Sequence, residues 1–308
     1  MQDPRALYSF EPDVDPYAAG ASVLVVSLGG FVDAGGTQRV LTRHLLDAHE
    51  SSVVARFDID QLLDYRGRRP AMTFDKDRWT AYADPTLRLH RVLDGSGHPF
   101  LLLAGEEPDY QWERVAAATL ALVEQLGVEL TVSVHGIPMA VPHTRPIGTT
   151  PHATDARLLG EHDPVFGTVQ VPGSLSSLLE YRLGESGRDA MGFAVHVPHY
   201  LAQAEYADAA LVGLDALAGA TGLELERTGL VALAALGRAQ IAKELEDADE
   251  VRTVVAALER QYDSFIQGRE RPSLLATDLS QVPSADELGA QVEAFLKDVT
   301  SDEDPPAR

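Results

Sequence analysis

The chain of 308 residues is long enough to bury a full hydrophobic core, and its formal net charge of −22 comes from 47 acidic against 25 basic residues. A surface with this charge repels phosphate backbones and anionic lipid headgroups, so we expect no nucleic acid and no membrane among its partners. The absence of cysteine excludes disulfides, thiolate nucleophiles and cysteine-ligated zinc, and the absence of a long apolar stretch predicts a cytoplasmic protein.

The first 60 residues alternate between apolar strands and a helix. An unbroken aliphatic run at residues 22–28 is typical of a strand buried on both faces. The run ends at Gly29 and Gly30 and leads through a glycine-rich loop into a helix that begins near Thr37. A second strand follows at residues 53–59. This order of strand, helix and strand predicts a mostly parallel sheet with right-handed crossovers.

Residues 64–94 interrupt the alternation of strands and helices. They begin with a turn-rich segment, and the stretch from Trp79 to Val92 alternates weakly between apolar and polar residues around a turn at Asp84 and Pro85. We therefore expect a hairpin at the edge of the sheet.

Beyond this segment the alternation of strands and helices resumes. Apolar runs predict four strands, at residues 99–104, 128–135, 165–171 and 191–197. Helical periodicity predicts two helices between them, at residues 111–126 and 174–183. The proline density of residues 136–153 excludes a helix or a central strand and predicts a loop.

The pattern becomes helical from residue 207 onwards. We expect helices at residues 207–217, 230–245 and 250–267, and a further helix from Ser284. The predicted fold is α/β: a three-layer α/β/α sandwich with a mostly parallel sheet at residues 1–220, and a helical C-terminal part packed on it at residues 221–300. Residues 301–308 are expected to fray.

The loop after the first strand is the first candidate binding site. Glycines such as Gly29 and Gly30 let backbone N–H groups approach an anion at a helix N-terminus. The spacing is not a dinucleotide fingerprint, the Walker lysine is missing, and Asp33 would repel a phosphate. A plain tight turn is the favoured interpretation, with a phosphate cradle as the alternative.

Acidic residues follow the strand at residues 99–104. Open α/β sheets bind ligands at the carboxyl ends of their strands, which is where Glu106, Glu107 and Asp109 lie. Paired carboxylates there could share a proton or hold a metal. We favour a structural interpretation, in which Asp109 caps the following helix and both glutamates are solvated. We predict no metal and no cofactor.

Histidines end two of the predicted strands. His135 ends one, and His196 and His199 end another, so their imidazoles converge if the two strands are neighbours. Converging imidazoles can bind a metal or act as acid and base, whereas histidines at strand ends more often fix loops. The sequence has no HExxH and no Gly-x-Ser-x-Gly motif. A triad assembled from distant residues would leave no local motif.

Two more candidates, His143 and Arg145, lie in the proline-rich loop. Arg145 could clamp a carboxylate or a phosphate in fork geometry. An equally good interpretation is that both side chains satisfy backbone carbonyls in the loop or at a subunit contact.

Several motifs in combination identify a family resemblance. They are GGFVDAGG after the first strand, FDID followed by DYRGRRP, LLLAGEEPDYQWE, and VHGIPMAVPHTRP. Together they resemble the proteasome assembly chaperone 2-like (PAC2) family, in particular its actinobacterial branch of uncharacterised proteins. The resemblance implies an α/β/α sandwich similar to that of nucleoside phosphorylases, usually in an oligomer and without established catalytic residues.

The resemblance also implies protein partners, because better-characterised relatives chaperone proteasome α-subunits. Those relatives dock through a C-terminal hydrophobic-Tyr-X tail, which the final residues Pro305-Pro306-Ala307-Arg308 do not match. The leading hypothesis is a non-enzymatic, homo-oligomeric binding or assembly protein that contacts copies of itself or a proteasome-related subunit. The alternative is an enzyme or small-molecule sensor with a phosphorylase-like crevice formed by the Gly29 loop, Glu106, His135 and Arg145.

Overall fold

The aliphatic runs of the sequence form the inner strands of an eight-stranded sheet with helices on both faces. The computed structural model describes residues 3–30, 32–160, 167–246 and 249–266. The strands are β1 (Tyr8–Phe10), β2 (Val23–Gly29), β3 (Ser51–Phe57), β4 (Met72–Asp75), β5 (Arg78–Tyr82), β6 (Leu87–Leu93), β7 (Pro99–Glu106), β8 (Leu130–Met139), β9 (Thr149–Ala153) and β10 (Asp189–Pro198). The helices are α1 (Thr37–Ala48), α2 (Trp112–Gln125), α3 (Leu175–Glu185), α4 (Ala207–Thr221), α5 (Thr228–Glu246) and α6 (Asp249–Ile266).

The strand order of the large sheet is β1-β3-β6-β7-β2-β8-β10-β9. The four neighbouring strands β7, β2, β8 and β10 are parallel to one another. β3 runs in the same direction, because it is antiparallel to β6, which is itself antiparallel to β7. The edge strands β1 and β9 are antiparallel to their neighbours. The sheet is mixed but mostly parallel, as predicted.

Each face of the sheet carries its own hydrophobic layer. Alternate residues of β2 supply the two layers, because successive side chains of a strand point to opposite faces. Leu24 and Val26 pack under α2 and α3, whereas Val23 and Val25 pack under α1, α4 and α5. This arrangement confirms the three-layer α/β/α sandwich.

The helices of the C-terminal part lie close to their predicted positions. α5 buries Leu230 and Ala234 in the same layer as α1 and α4. α6 packs Tyr262 and Phe265 against Met139 and Val141 at the end of β8. None of the helices in the described ranges is both long and apolar enough to cross a membrane.

The hairpin predicted between Trp79 and Val92 is wrong in its pairing. β5 pairs with β4 in a separate two-stranded sheet, and β6 lies inside the large sheet between β3 and β7. The burial of Leu87, Leu89 and Val92 explains the difference. Burying these side chains in the core stabilises β6 in the large sheet more than pairing with an exposed β5 would.

The loop predicted at residues 136–153 is also partly wrong. β8 continues through Pro138 to Met139, and β9 forms the edge of the sheet and contains Pro151. Proline is tolerated at both places for the same reason. β2 pairs with β8 only as far as Ser133, so Pro138, like a residue of an edge strand, has a paired neighbour on one side only.

The strand predicted at residues 165–171 is absent from residues 167–171, while residues 165 and 166 lie outside the described ranges. Val169 and Val171 of this run are exposed, so the run has no buried face that a strand could pack. The helix expected from Ser284 and the frayed tail also lie outside the described residues. The division between residues 1–220 and 221–300, which falls at the end of α4, stays a prediction.

Candidate functional site

The glycine loop at the end of β2 is filled by a carboxylate of the protein itself. The buried side chain of Glu107 occupies the space that a Cβ at Gly30 would need. Its Oε1 accepts a 2.7 Å hydrogen bond from the N–H of Leu175, at the start of α3, and its own N–H donates to the carbonyl of Gly29 over 2.9 Å. Gly30 therefore permits a close approach that ties β2 to α3.

Asp33 binds the first turn of α1 from inside the same loop. Its carboxylate accepts hydrogen bonds from the backbone N–H groups of Gln38, at 2.7 Å, and Arg39, at 3.3 Å. The backbone of Gly136 also hydrogen-bonds this carboxylate. Burial raises the pKa of Asp33 above its usual value, and these hydrogen bonds oppose the shift. These contacts favour the structural interpretation of the loop.

The acidic residues after β7 are joined to Arg68. The guanidinium lies 2.6 Å from Asp109 Oδ1 and 3.5 Å from Glu106 Oε2. Asp109 Oδ2 accepts the N–H of Asp64 over 2.6 Å, and the N-cap position of α2 is taken by Gln111. The expectation that Asp109 caps α2 beside two solvated glutamates is therefore wrong for Asp109 and for the buried Glu107.

The proline-rich loop contacts α6 and the segment after β10. The phenol oxygen of Tyr200 accepts from the backbone N–H of His143 at 2.9 Å and lies 2.7 Å from His143 Nδ1. Arg145 makes a bidentate hydrogen-bonded pair with Asp263, in which its Nε and Nη2 each lie 2.8 Å from a carboxylate oxygen. Its Nη1 donates to Glu259 Oε1 over 3.2 Å. This hydrogen bonding lowers the pKa of Asp263. Arg145 thus holds a carboxylate, and that carboxylate belongs to α6.

His135 belongs to a polar row on β8 that faces α3. Thr131, Ser133 and His135 alternate with the buried Val132 and Val134, so all three point to the same side of the sheet. The ring of His152 on β9 lies close to that of His135, with 5.9 Å between the ring centroids. Burial, and to a smaller extent this neighbour, lower the pKa of His135 to about 4, so its imidazole is neutral at pH 7.

The other strand-end histidines act locally. β8 and β10 are neighbours, as the convergence argument required, but His196 bonds the Thr150 hydroxyl at 2.8 Å and His199 stacks edge-on against Tyr200. In the described part of the chain, no three His, Asp or Glu side chains are placed to hold a metal ion.

The structure thus brings some of the predicted residues together and places others elsewhere. Gly29 pairs with Glu106 across β2 and β7, and Asp33 reaches the residue that follows His135. Arg145, by contrast, is engaged with α6.

Sequence reasoning missed His152 and Glu180, which share a 2.9 Å contact, and Ser133 beside them. For Ser133 the available signal was the polar residues at alternate positions of β8, a strand otherwise buried on both faces.

The comparison with known proteins settles the family. The profile of the PAC2 family matches residues 27–245, more than half of the chain. The chain belongs to the PAC2 family. No curated protein matches it. The predicted resemblance is therefore confirmed.

Solved structures from actinobacteria resemble this PAC2 protein. A Mycobacterium tuberculosis protein of unknown function, Rv2714, is 46% identical over 86% of this chain and 91% of its own, with a TM-score of 0.81. A Corynebacterium glutamicum protein of unknown function is 37% identical over 85% of this chain and 98% of its own, with a TM-score of 0.79. The M. tuberculosis proteasome-assembly chaperone homologue Rv2125 is 21% identical over 77% of this chain and 99% of its own, with a TM-score of 0.68, which is a likeness of fold.

Proposed function

We propose that this PAC2 protein is an assembly protein whose ligands are protein surfaces, beginning with a second copy of itself. One observation carries the proposal: the hairpin formed by β4 and β5 exposes a large apolar face. All nine residues of its two strands are exposed. A two-stranded hairpin is marginally stable by itself in water, so a bare apolar face on it indicates a contact surface.

The apolar side chains of this hairpin lie on one face. Met72 pairs with Tyr82 and Phe74 pairs with Trp79 across the two strands, and residues directly opposite each other point to the same side. The rings of Phe74 and Trp79 meet edge to face, with centroids 5.0 Å apart. Between 48% and 62% of each of these four residues is exposed. Aromatic residues and methionine are enriched at protein interfaces.

Charge favours a second copy as the occupant of this face. Residues 66–78 contain five basic and two acidic residues, whereas acidic residues outnumber basic ones by more than two to one in the rest of the chain. A basic, aromatic hairpin is complementary to the acidic surface that another copy offers. Such complementarity orients the encounter, and apolar burial then stabilises the contact.

Light scattering after size exclusion, at micromolar concentration, tests this part of the proposal. We expect wild type to be an oligomer and Trp79→Glu to have the mass of a monomer, because the new carboxylate would be buried against an acidic surface. Tyr17→Glu is the matched control, since Tyr17 is 89% exposed and lies outside the hairpin. A monomeric wild type, or an unchanged mass for Trp79→Glu, would contradict self-assembly through the hairpin.

The second partner that we propose is a proteasome-related subunit. The fold shared with a protein described as a proteasome-assembly chaperone homologue supports it. Native mass spectrometry of the protein mixed with purified α-type proteasome subunits should detect a mixed complex. If only the separate species appear, this partner is wrong, and the self-assembly result is unaffected.

A further inference from the structure

Three residues on neighbouring strands lie in one row across the sheet. Gly192 of β10 is directly opposite Ser133 of β8 on one side and His152 of β9 on the other. Side chains at directly opposed positions point to the same face. The middle residue of the row is glycine, so no side chain separates Ser133 from His152.

The missing side chain lets the imidazole extend over β10. A Cβ at position 192 would lie 2.8 Å from His152 Nε2 and 2.5 Å from Ser133 Oγ. The two atoms are therefore separated by no more than the sum of these distances. A rotation of the serine side chain has to bring Oγ closer to Nε2 before the hydrogen bond forms. Hydroxyl-to-imidazole contacts of catalytic groups are often long without substrate.

Glu180 sets the orientation of this imidazole. It extends from α3, which covers this face of the sheet, and its carboxylate lies 2.9 Å from His152 Nδ1. A carboxylate only accepts hydrogen bonds, so Nδ1 carries the hydrogen and the lone pair of Nε2 is available on the side of Ser133. The order carboxylate, imidazole, hydroxyl is the arrangement that activates a serine nucleophile.

A small cavity lies beside the serine, and half of its lining residues are apolar, namely Val26, Leu179, Ala190 and Met191. It has a volume of about 10 Å³ and is lined by Thr131, Ser133, Ser176 and Glu180 among others. Thr131 is 5% exposed, and its hydroxyl oxygen is buried without a hydrogen-bond partner. A buried hydroxyl without a partner is destabilising unless a bound group satisfies it. The cavity has room for one water molecule or for a carbonyl oxygen.

We propose that Ser133, His152 and Glu180 form a nucleophile, base and acid triad that hydrolyses small carboxylic esters, with the Thr131 hydroxyl donating to the carbonyl oxygen in the cavity. The volume of the cavity limits what enters it to that oxygen. The rest of the ester lies on the side of His152, whose side chain is 36% exposed. Acetate esters fit this description better than esters of long or branched acids.

Water is the second substrate of the proposed hydrolysis. Ser133 Oγ bonds to the carbonyl carbon and its proton passes to His152 Nε2, which gives it to the departing alkoxide as the ester C–O bond breaks. Water then attacks the acyl-serine, again losing a proton to Nε2. That proton returns to Ser133 Oγ as the carboxylic acid leaves. The Glu180 carboxylate hydrogen-bonds to the imidazolium and stabilises it in both steps.

His135 supports this arrangement because it is neutral. Its ring is the near neighbour of His152, and at neutral pH it carries no charge, because burial lowers its pKa to about 4. A neutral neighbour does not oppose the proton that His152 accepts during the reaction.

A fluorophosphonate probe and an aryl acetate test the triad in the full-length protein. The probe should form a covalent adduct with the loss of fluoride, and peptide mapping should place it on Ser133. Ser133→Ala should abolish the adduct and lower hydrolysis of the acetate by at least about 100-fold. Ser96→Ala, which removes an exposed serine of the turn after β6, is the control and should behave as wild type.

His152→Gln and Glu180→Gln separate catalysis from folding. Both should slow hydrolysis while thermal unfolding shows a folded protein. An unlabelled Ser133 in folded wild type, or hydrolysis that survives Ser133→Ala, would overturn the proposal. The oligomer mass of Ser133→Ala should equal that of wild type, so a failure here is distinct from a failure of the hairpin proposal.

Discussion

Acidification should destabilise this protein through two histidines held neutral inside the sandwich. Burial lowers the pKa of both His135 and His196 to about 4. A histidine with a folded-state pKa below its unfolded value of 6.5 binds fewer protons in the folded protein. Stability is therefore complete above pH 6.5 and is lost as the pH falls from there towards 4.

The size of the effect follows from the two pKa values. For His196, which is only 4% exposed, proton linkage gives a loss of about 2 kcal/mol in the free energy of unfolding between pH 7 and pH 5. His135 is half-buried, so solvent screening makes its contribution smaller. A loss of this size is a large fraction of the typical stability of a domain, about 5–15 kcal/mol.

Urea unfolding at pH 7 and pH 5 measures the loss. We expect His196→Gln to lose about 2 kcal/mol less than wild type between the two pH values, because the residue that takes up the proton is gone. Glutamine can keep a hydrogen bond to Thr150, and comparing each protein with itself removes the direct cost of the substitution. His98→Gln, at a side chain that is 76% exposed, is the control. Equal losses in His196→Gln and wild type would refute the reasoning.

Three further predictions concern local geometry. Gly192→Ala should lower the free energy of unfolding by about 1–3 kcal/mol in urea, since its Cβ has no room between Ser133 and His152, whereas Gly219→Ala, in open space on α4, should raise it by up to about 1 kcal/mol. Asp33→Ala should cost about 1 kcal/mol in the same measurement, because two backbone N–H groups in the first turn of α1 lose their acceptor; an unchanged midpoint would contradict this role. Arg145→Gln should speed amide hydrogen exchange in α6 and leave α4 unchanged, and equal protection of α6 in both proteins would show that Arg145 does not hold it.

Much of the fold could be predicted from the sequence because it depends on local patterns. The aliphatic run of β2 and the helical spacing of α1 are each set within about a dozen residues, and burial on both faces of the sheet requires such runs. The family motifs are local as well, so the sequence alone identifies the PAC2 family.

Strand pairing could not be predicted as well from the sequence, because it depends on contacts between residues far apart in the chain. β6 and β5 are adjacent in sequence and similar in length, yet one is buried between β3 and β7 and the other is exposed in a separate hairpin. The end of the β2 pairing at Ser133, which lets β8 continue through Pro138, is likewise a property of the assembled sheet.

The sequence by itself determined the layered α/β class, the positions of the parallel strands and the family, because hydrophobic periodicity and short motifs are local. Only the tertiary structure decided which polar side chains meet. Ser133, His152 and Glu180 lie on β8, β9 and α3, and the register of three strands with a glycine in the middle brings them to one place. That register is a balance of long-range burial and hydrogen bonding, which no local window of residues contains.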